Sequence, residues 1–335
     1  MLYAAIDIHK RSFQAAVLDS ESGEISEQRF GASREELSHW AMFLQGGVAA
    51  VAIEATTGWR WVWRELAALG FDVRLADPSE VKALRGTGKR AKTDRLDARW
   101  LVLLLAKELL PLSWLPPAEI QQLRDKTRLR KALAEDRTRW AQRLQAFLQH
   151  EGWPCARGRL LTAQGRRWVS GLALAPVARA HVETLLRLID LVEDEQRALE
   201  SELRRFARSD RRCQALETIY GIGPILACHI LAELGEAKRF RRARSAVRAA
   251  GLDPVVADSG ETTRRGHLAK HGSPELRWAL VQAAHQARYR RSPDRALYGS
   301  IKARRKAAEP AVLTVARKLA RRSYHVLHEL EREAA

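Results

Sequence analysis

Leu2-Tyr3-Ala4-Ala5-Ile6-Asp7 and Val48-Ala49-Ala50-Val51-Ala52-Ile53-Glu54 are two apolar runs, and each ends on an acid. Runs of this length, bounded by polar residues, read as buried strands. A carboxylate at the end of a buried strand is costly unless a cation or a hydrogen-bond network holds it. A third stretch, Lys92-Thr93-Asp94-Arg95-Leu96-Asp97-Ala98-Arg99, sets Asp94 and Asp97 three apart, so that they project from one helix face. Two strand-end acids and one helix-borne pair can enclose one or two Mg²⁺ ions, which take oxygen ligands. Paired metals activate an attacking oxygen and stabilise the leaving one in phosphoryl transfer. Each acid taken singly also has a structural reading. Asp7 would cap a turn, Asp94 would pair with a nearby Arg, and Asp97 would pair with Arg99 or Lys92.

Outward from these runs, residues 2–110 alternate strand and helix patterns. Leu2–Asp7, Phe13–Asp19 and Ile25–Phe30 read as strands. Ser33, with Glu36 three residues on, forms a capping box before a helix to about Leu44. Val48–Ile53 is a strand, Trp59–Leu69 a helix closed by Gly70, Phe71–Leu75 a strand and Pro78–Leu84 a short helix. After the basic loop Gly86-Thr87-Gly88-Lys89-Arg90, Thr93 caps a helix to about Leu110. Three sequential strands followed by helix–strand alternation predict a mixed sheet covered by helices.

Pro111, Pro116 and Pro117 end that domain, and a long helix follows over Glu119–Glu151. A second spans Val177–Ala207. Its apolar positions Val182, Leu185, Ile189, Val192, Leu199, Leu203 and Phe206 step by three and four, with Gln196 the polar member. That heptad seam predicts a coiled coil, antiparallel or between subunits, with Gln196 setting the register. Residues 213–332 read as mostly helical. Tyr220-Gly221-Ile222-Gly223-Pro224 has the form of a glycine hairpin between two helices, which presents backbone N–H groups to a phosphate or simply turns the chain. Between Gly251 and Gly272 lies a stretch expected to be loop. Its Ser259 is either a hydroxyl able to reach a phosphodiester or an ordinary loop serine.

The chain has 335 residues and a net charge of +18, with 46% hydrophobic residues, so it can bury two or three cores and is not disordered. The charge is segregated. Residues 1–60 hold five Lys/Arg against eight Asp/Glu, whereas residues 238–322 hold twenty-two against six. Segregation of this kind favours a nucleic-acid face over a uniformly solubilising surface. No apolar stretch is long enough to span a membrane, and no secretory signal is read at the start of the chain. Cys155, Cys213 and Cys228 make no metal or disulfide pattern, which fits a reducing cytoplasm.

Taken in order, these pieces resemble the DEDD-type insertion-sequence transposases of the IS110 family. The resemblance rests on Ile6-Asp7-Ile8-His9-Lys10, Ile53-Glu54-Ala55-Thr56 and Lys92–Arg99. In the second half it rests on Gly221-Ile222-Gly223, Arg239-Phe240, Ala250-Gly251-Leu252-Asp253-Pro254, Asp258-Ser259-Gly260, Lys270-His271-Gly272 and Leu276-Arg277-Trp278-Ala279-Leu280. It implies an N-terminal α/β domain of RNase H-like (RuvC-like) fold over 1–112, with Mg²⁺ on Asp7, Glu54, Asp94 and Asp97. It further implies a helical coiled-coil region over 113–210 and a mostly α-helical transposase domain over 211–335. In that last domain Ser259 would become covalently linked to DNA. It implies a structured guide RNA, called a bridge RNA, that selects donor and target DNA, and action as a homodimer or homotetramer. Lys10, Arg241, Arg242, Arg244, Arg264, Arg265 and Lys270 are the expected nucleic-acid contacts. The chain departs from the family at Thr57, inserted before Gly58, and at Glu261, which adds negative charge beside Ser259. His267 and His271, or a metal, would activate Ser259, and Tyr289, Tyr298 and water are the rival nucleophiles. Two other readings compete: a metal-dependent nuclease of the Holliday-junction type, and a nucleic-acid binder without chemistry.

Overall fold

The computed structural model describes residues 1–44, 46–85, 94–155, 158–259 and 262–334, with the side chains of 94, 255–259 and 262–267 outside the description. The chain forms two compact units, Met1–Leu115 and Pro116–Ala335.

The first unit is built on β1 (Leu2–Ile8), β2 (Ser12–Asp19), β3 (Ile25–Gly31), α1 (Arg34–Met42), β4 (Val48–Glu54), α2 (Trp59–Ala68), β5 (Val73–Ala76), α3 (Pro78–Leu84) and α4 (Asp94–Ala106). Its five-stranded sheet has the order β3-β2-β1-β4-β5. β1, β2 and β3 are antiparallel neighbours, and β4 runs parallel to both β1 and β5. This is the mixed, helix-covered sheet that the strand–helix alternation predicts. Side chains alternate across the sheet. Ile6, Phe13, Val51, Ile53 and Leu75 face one way and pack with Leu37, Trp40, Val62 and Leu66 of α1 and α2. Ala5, Ala16, Ala50, Ala52 and Ala76 face the other way, and their small side chains let Ala98, Leu101, Val102 and Leu105 of α4 settle directly on the sheet. Ser33 caps α1 by accepting the Glu36 amide at 3.2 Å, as the capping box requires. The helix expected to reach Leu110 stops at Ala106. The chain turns through Glu108 (φ 57) so that Leu110 is buried and Asp77 can bond the Pro111 carbonyl. The loop 86–90 and the cap Thr93 lie outside the described residues.

The second unit contains α5 (Ala118–His150), α6 (Ala163–Ser170), α7 (Pro176–Ser209), α8 (Arg211–Glu217), α9 (Pro224–Leu234), α10 (Ala243–Ala249), β6 (Pro254–Ser259), β7 (Thr262–Leu268), α11 (Pro274–Ala284), α12 (Arg295–Arg305) and α13 (Glu309–Glu333). α5 and α7 lie antiparallel, tied by Lys126–Glu202 (2.7 Å), Arg130–Glu200 (2.6 Å) and Arg137–Glu193 (2.6 Å). The first half of the heptad seam is filled within the chain. Val182, Leu185 and Ile189 pack with Leu144 and Leu148 of α5, and Leu203 is buried as well. Of the two arrangements expected for this seam, antiparallel or between subunits, Val182, Leu185 and Ile189 take the antiparallel one, because α5 supplies their apolar partner. Gln196 bonds Glu200 on its own helix (3.0 Å), and the cross-helix tie is Arg130–Glu200. α9 is the central helix, buried from Ala227 to Leu234. A second correction concerns 254–268. The expected loop is a two-stranded antiparallel hairpin, β6 on β7, with Ser259 opposite Thr262. Its β-branched residues, Val255, Val256, Thr262 and Thr263, suit paired strands. Among the described residues no helix is long and apolar enough to cross a membrane.

Candidate active site

Asp7, one residue from the end of β1, and Glu54, the last of β4, sit on adjacent parallel strands whose register pairs Ile6 with Ile53. Alternation puts both on the face that carries Ala5, Ala52 and α4. The carboxyl ends of neighbouring strands are where open α/β sheets place their ligands. Asp7 is only 7% exposed, and its Oδ2 lies 3.0 Å from His9 Nε2. Gln14 sits opposite Asp7 on β2. Glu54 is half-buried at the rim. Thr56, two residues on, buries a hydroxyl that has no hydrogen-bond partner among the described residues.

Asp97 rides on α4, next to Ala98, which is buried against the sheet. Its Oδ1 is ion-paired with Arg85 Nη1, and Arg85 Nη2 also reaches the Leu96 carbonyl at 3.3 Å. Arg99 does not fill the role expected of it, since it turns to Glu27 with Nε at 3.5 Å, and Lys92 lies outside the described residues. The Asp94 backbone begins α4, and its side chain is outside the description. Among the described residues no three of His, Cys, Asp and Glu gather as a metal cluster. Two strand-end carboxylates on one face nevertheless match the oxygen-donor preference of a hard cation. Asp7 and Glu54 are therefore the residues that fit Mg²⁺, with Asp97 held by Arg85.

Ser259 is the last residue of β6, in the second unit. The two ends of its hairpin are tied down closely. Ala269 N bonds the Asp253 carbonyl at 2.8 Å, and Ser273 N bonds that of Ala249 at 2.7 Å. The segments that flank the hairpin meet at Gly251 and Gly272. A Cβ on Gly272 would meet the Ala249 oxygen at 2.4 Å and the Gly251 nitrogen at 2.6 Å, so this contact needs glycine. Arg277 Nη1 donates to Ala250 O (3.1 Å), and Arg317 Nε donates to Leu252 O (2.7 Å). Ser273 Oγ donates to the buried Glu233 (2.9 Å), whose other donors are Arg128 Nε (3.1 Å) and Nη2 (3.3 Å). Burial, and then the neighbouring Arg124, pushes the Arg239 guanidinium down to about 10, while Arg239 bonds the Glu233 and Leu234 carbonyls.

Of the expected nucleic-acid contacts, Lys10, Arg241, Arg242, Arg244 and Lys270 are exposed, and the side chains of Arg264 and Arg265 lie outside the description. Lys270 adopts φ 55 at the foot of β7. Gly221 and Gly223 form the turn between α8 and α9, and Gly221 rests on the Ala283 carbonyl of α11. His271 and Tyr289 are exposed, and Tyr298 is half-buried. Sequence reasoning missed the roles of His9 and Arg85. His9 was readable, being two residues from Asp7 and so on its side of the chain. Arg85 was not, because only the fold brings it to Asp97.

A DEDD-type IS110 transposase family model matches residues 4–151, and the model of the transposase IS116/IS110/IS902 family matches residues 213–299. The chain belongs to this family of insertion-sequence transposases. "Probable family 20 transposase" of Pseudomonas aeruginosa is 29% identical to it over 83% of this chain and 82% of its own length. The transposase for insertion sequence element IS1328 of Yersinia enterocolitica is 26% identical, over 83% and 81%. Two relatives from Sinorhizobium fredii are longer, and the chain spans 56% and 62% of their length.

Proposed function

We propose that this chain cuts and rejoins DNA as the transposase of an insertion sequence, through a covalent link between Ser259 and a DNA end. The observation that carries the reading is the placement of Asp7 and Glu54 together at the ends of parallel strands, on the sheet face that α4 covers. The sheet order β3-β2-β1-β4-β5, antiparallel on one side and parallel on the other, supports an RNase H-like first domain. Mg²⁺ held by Asp7 and Glu54, with Asp94 and Asp97, would neutralise phosphate charge and activate a hydroxyl. The chain's own residues do the rest. His9 orients Asp7, and Arg85 fixes Asp97 on α4. Tying of the hairpin ends keeps the Ser259 backbone in place, and Arg264 and Arg265 offset phosphate charge. In the step itself the Ser259 oxygen bonds to phosphorus as the bond from phosphorus to a sugar oxygen breaks. That sugar oxygen takes up the proton. Rejoining reverses the step with a new sugar hydroxyl.

The family resemblance extends the proposal to guidance by a bridge RNA that selects donor and target DNA, and to action as a homodimer or homotetramer. The test is formation of an SDS-resistant protein–DNA adduct. Wild type should form it in the presence of Mg²⁺, and Ser259→Ala should bind DNA and RNA but form none. Wild-type adduct in Ser259→Ala would hand the role to a tyrosine. Cleavage without any adduct would favour the hydrolytic nuclease. Sequencing the RNA that copurifies with the protein tests the guide.

A further inference from the structure

Between Arg288 and Lys306 the chain carries Arg288, Arg290, Arg291, Arg295, Lys302, Arg304, Arg305 and Lys306, and a single acid, Asp294. All eight cations are exposed. Asp294 is buried and already committed to α13, accepting from Lys318 Nζ at 2.8 Å and Arg322 Nη1 at 2.6 Å. Burial opposes its ionisation, yet those two cations hold its carboxyl below the usual carboxylate range. None of the eight has an ion-pair partner among the described residues. Elsewhere in the second unit, by contrast, Arg130, Arg137 and Arg166 each meet a carboxylate of α7.

α12 gives this charge a shape. Its one buried residue is Ile301, so the opposite side faces out. Arg295, Gly299 and Lys302 follow one another at steps of four and three, which is a single stripe on an α-helix, and Lys306 caps its end in a left-handed conformation (φ 53). Gly299 lies mid-helix, where glycine destabilises relative to alanine. A Cβ there would meet nothing within 4 Å, so packing within the chain does not require its absence. A bare backbone between two cations is what a close-approaching phosphate chain needs. Six residues before Arg295, Tyr289 is 47% exposed, with the Arg288 guanidinium 4.8 Å over its ring.

We infer that the outer face of α12 is a phosphodiester-binding surface, on which a nucleic-acid backbone crosses Gly299 between Arg295 and Lys302. The inference rests on the reading that this chain handles nucleic acid, and it adds an element other than the hairpin and the Arg241–Arg244 segment. The strand that lies there belongs either to duplex DNA or to structured RNA, because both offer the same phosphate chain.

The experiment measures affinity at several salt concentrations for two labelled probes, a duplex DNA and an RNA stem–loop, both of arbitrary sequence. For at least one probe, Arg295→Gln with Lys302→Gln should reduce the salt slope by about two. Gly299→Gln should keep or raise Tm, since glutamine is the better helix former, while weakening that probe several-fold. The probe that responds identifies the source. Unchanged affinity and slope for both probes in the double variant, with wild type binding normally, would overturn the inference and leave the proposed function standing. A Gly299→Gln protein that is more stable and binds both probes as wild type would overturn the crossing at Gly299. Wild type that binds neither probe would sink the broader reading and this surface with it.

Discussion

His229 shows how a residue's environment sets its chemistry. It is fully buried on α9, with its ring 4.9 Å from that of Trp278, and neither ring nitrogen has a partner among the described residues. Burial, and then the positive charges of Arg130 and Lys131, press its pKa down from 6.5 to about 3. The unfolded chain therefore takes up this proton first as pH falls. Stability is intact above about 6.5 and is lost as pH drops from there toward about 3, at roughly 1.4 kcal/mol per unit. His229→Leu should be at least as stable as wild type at pH 7 and should flatten the acid side of the Tm–pH curve. An equally steep curve in the variant would show that other groups drive acid unfolding. The acids at the strand ends call for the opposite kind of substitution. Asp7→Asn should leave the first unit folded, because it removes a buried charge while keeping the shape, and should abolish adduct formation. Full activity of Asp7→Asn would remove Asp7 from the site. These residues differ in legibility. The strand-end position of Asp7 followed from its apolar run, whereas the isolation of His229 depends on three helices distant in sequence.

At the scale of elements, the α5–α7 pair and the β6–β7 hairpin are the parts where local pattern and tertiary context diverge. The heptad seam of α7 was plain in its steps of three and four. Its partner was not, since a seam carries no label saying which helix covers it. With α5 in that place, Ile189→Ala leaves a cavity in the chain's own core. It should cost about 2–4 kcal/mol and lower Tm without changing the sedimentation coefficient. A change in oligomeric state at unchanged Tm would restore the intersubunit seam. The hairpin ends make a sharper case. Gly272→Ala drives a Cβ into the Ala249 carbonyl and the Gly251 amide, both backbone, which cannot give way cheaply. That variant should show faster hydrogen exchange along 254–268 and slower adduct formation, with DNA affinity held. Wild-type exchange there would mean the contact has slack.

Across the whole molecule, charge and fold divide at the same place. The first unit, to Leu115, holds fifteen Lys/Arg and fifteen Asp/Glu, so the net +18 of the chain resides entirely in Pro116–Ala335. Counterion release makes such a region the seat of salt-dependent affinity. The full chain should bind nucleic acid with a steep salt slope, and a piece ending at Leu115 should bind weakly with a shallow one. An equally steep slope for that piece would place the main contacts on the first unit.

The sequence by itself determined the mixed sheet, the long helices and the concentration of charge, because each is written in residues close along the chain. A strand or a helix needs only its own periodicity, and charge is counted without coordinates. Tertiary structure alone decided that Asp7 and Glu54 share one face, that Arg85 claims Asp97, that α5 covers the α7 seam and that the Ser259 segment is a hairpin pinned at a glycine contact. Each of these depends on groups from different elements or separate turns of the chain meeting at a few ångströms. No local pattern encodes such a meeting, since it is fixed by how the alanines and leucines of the two cores pack.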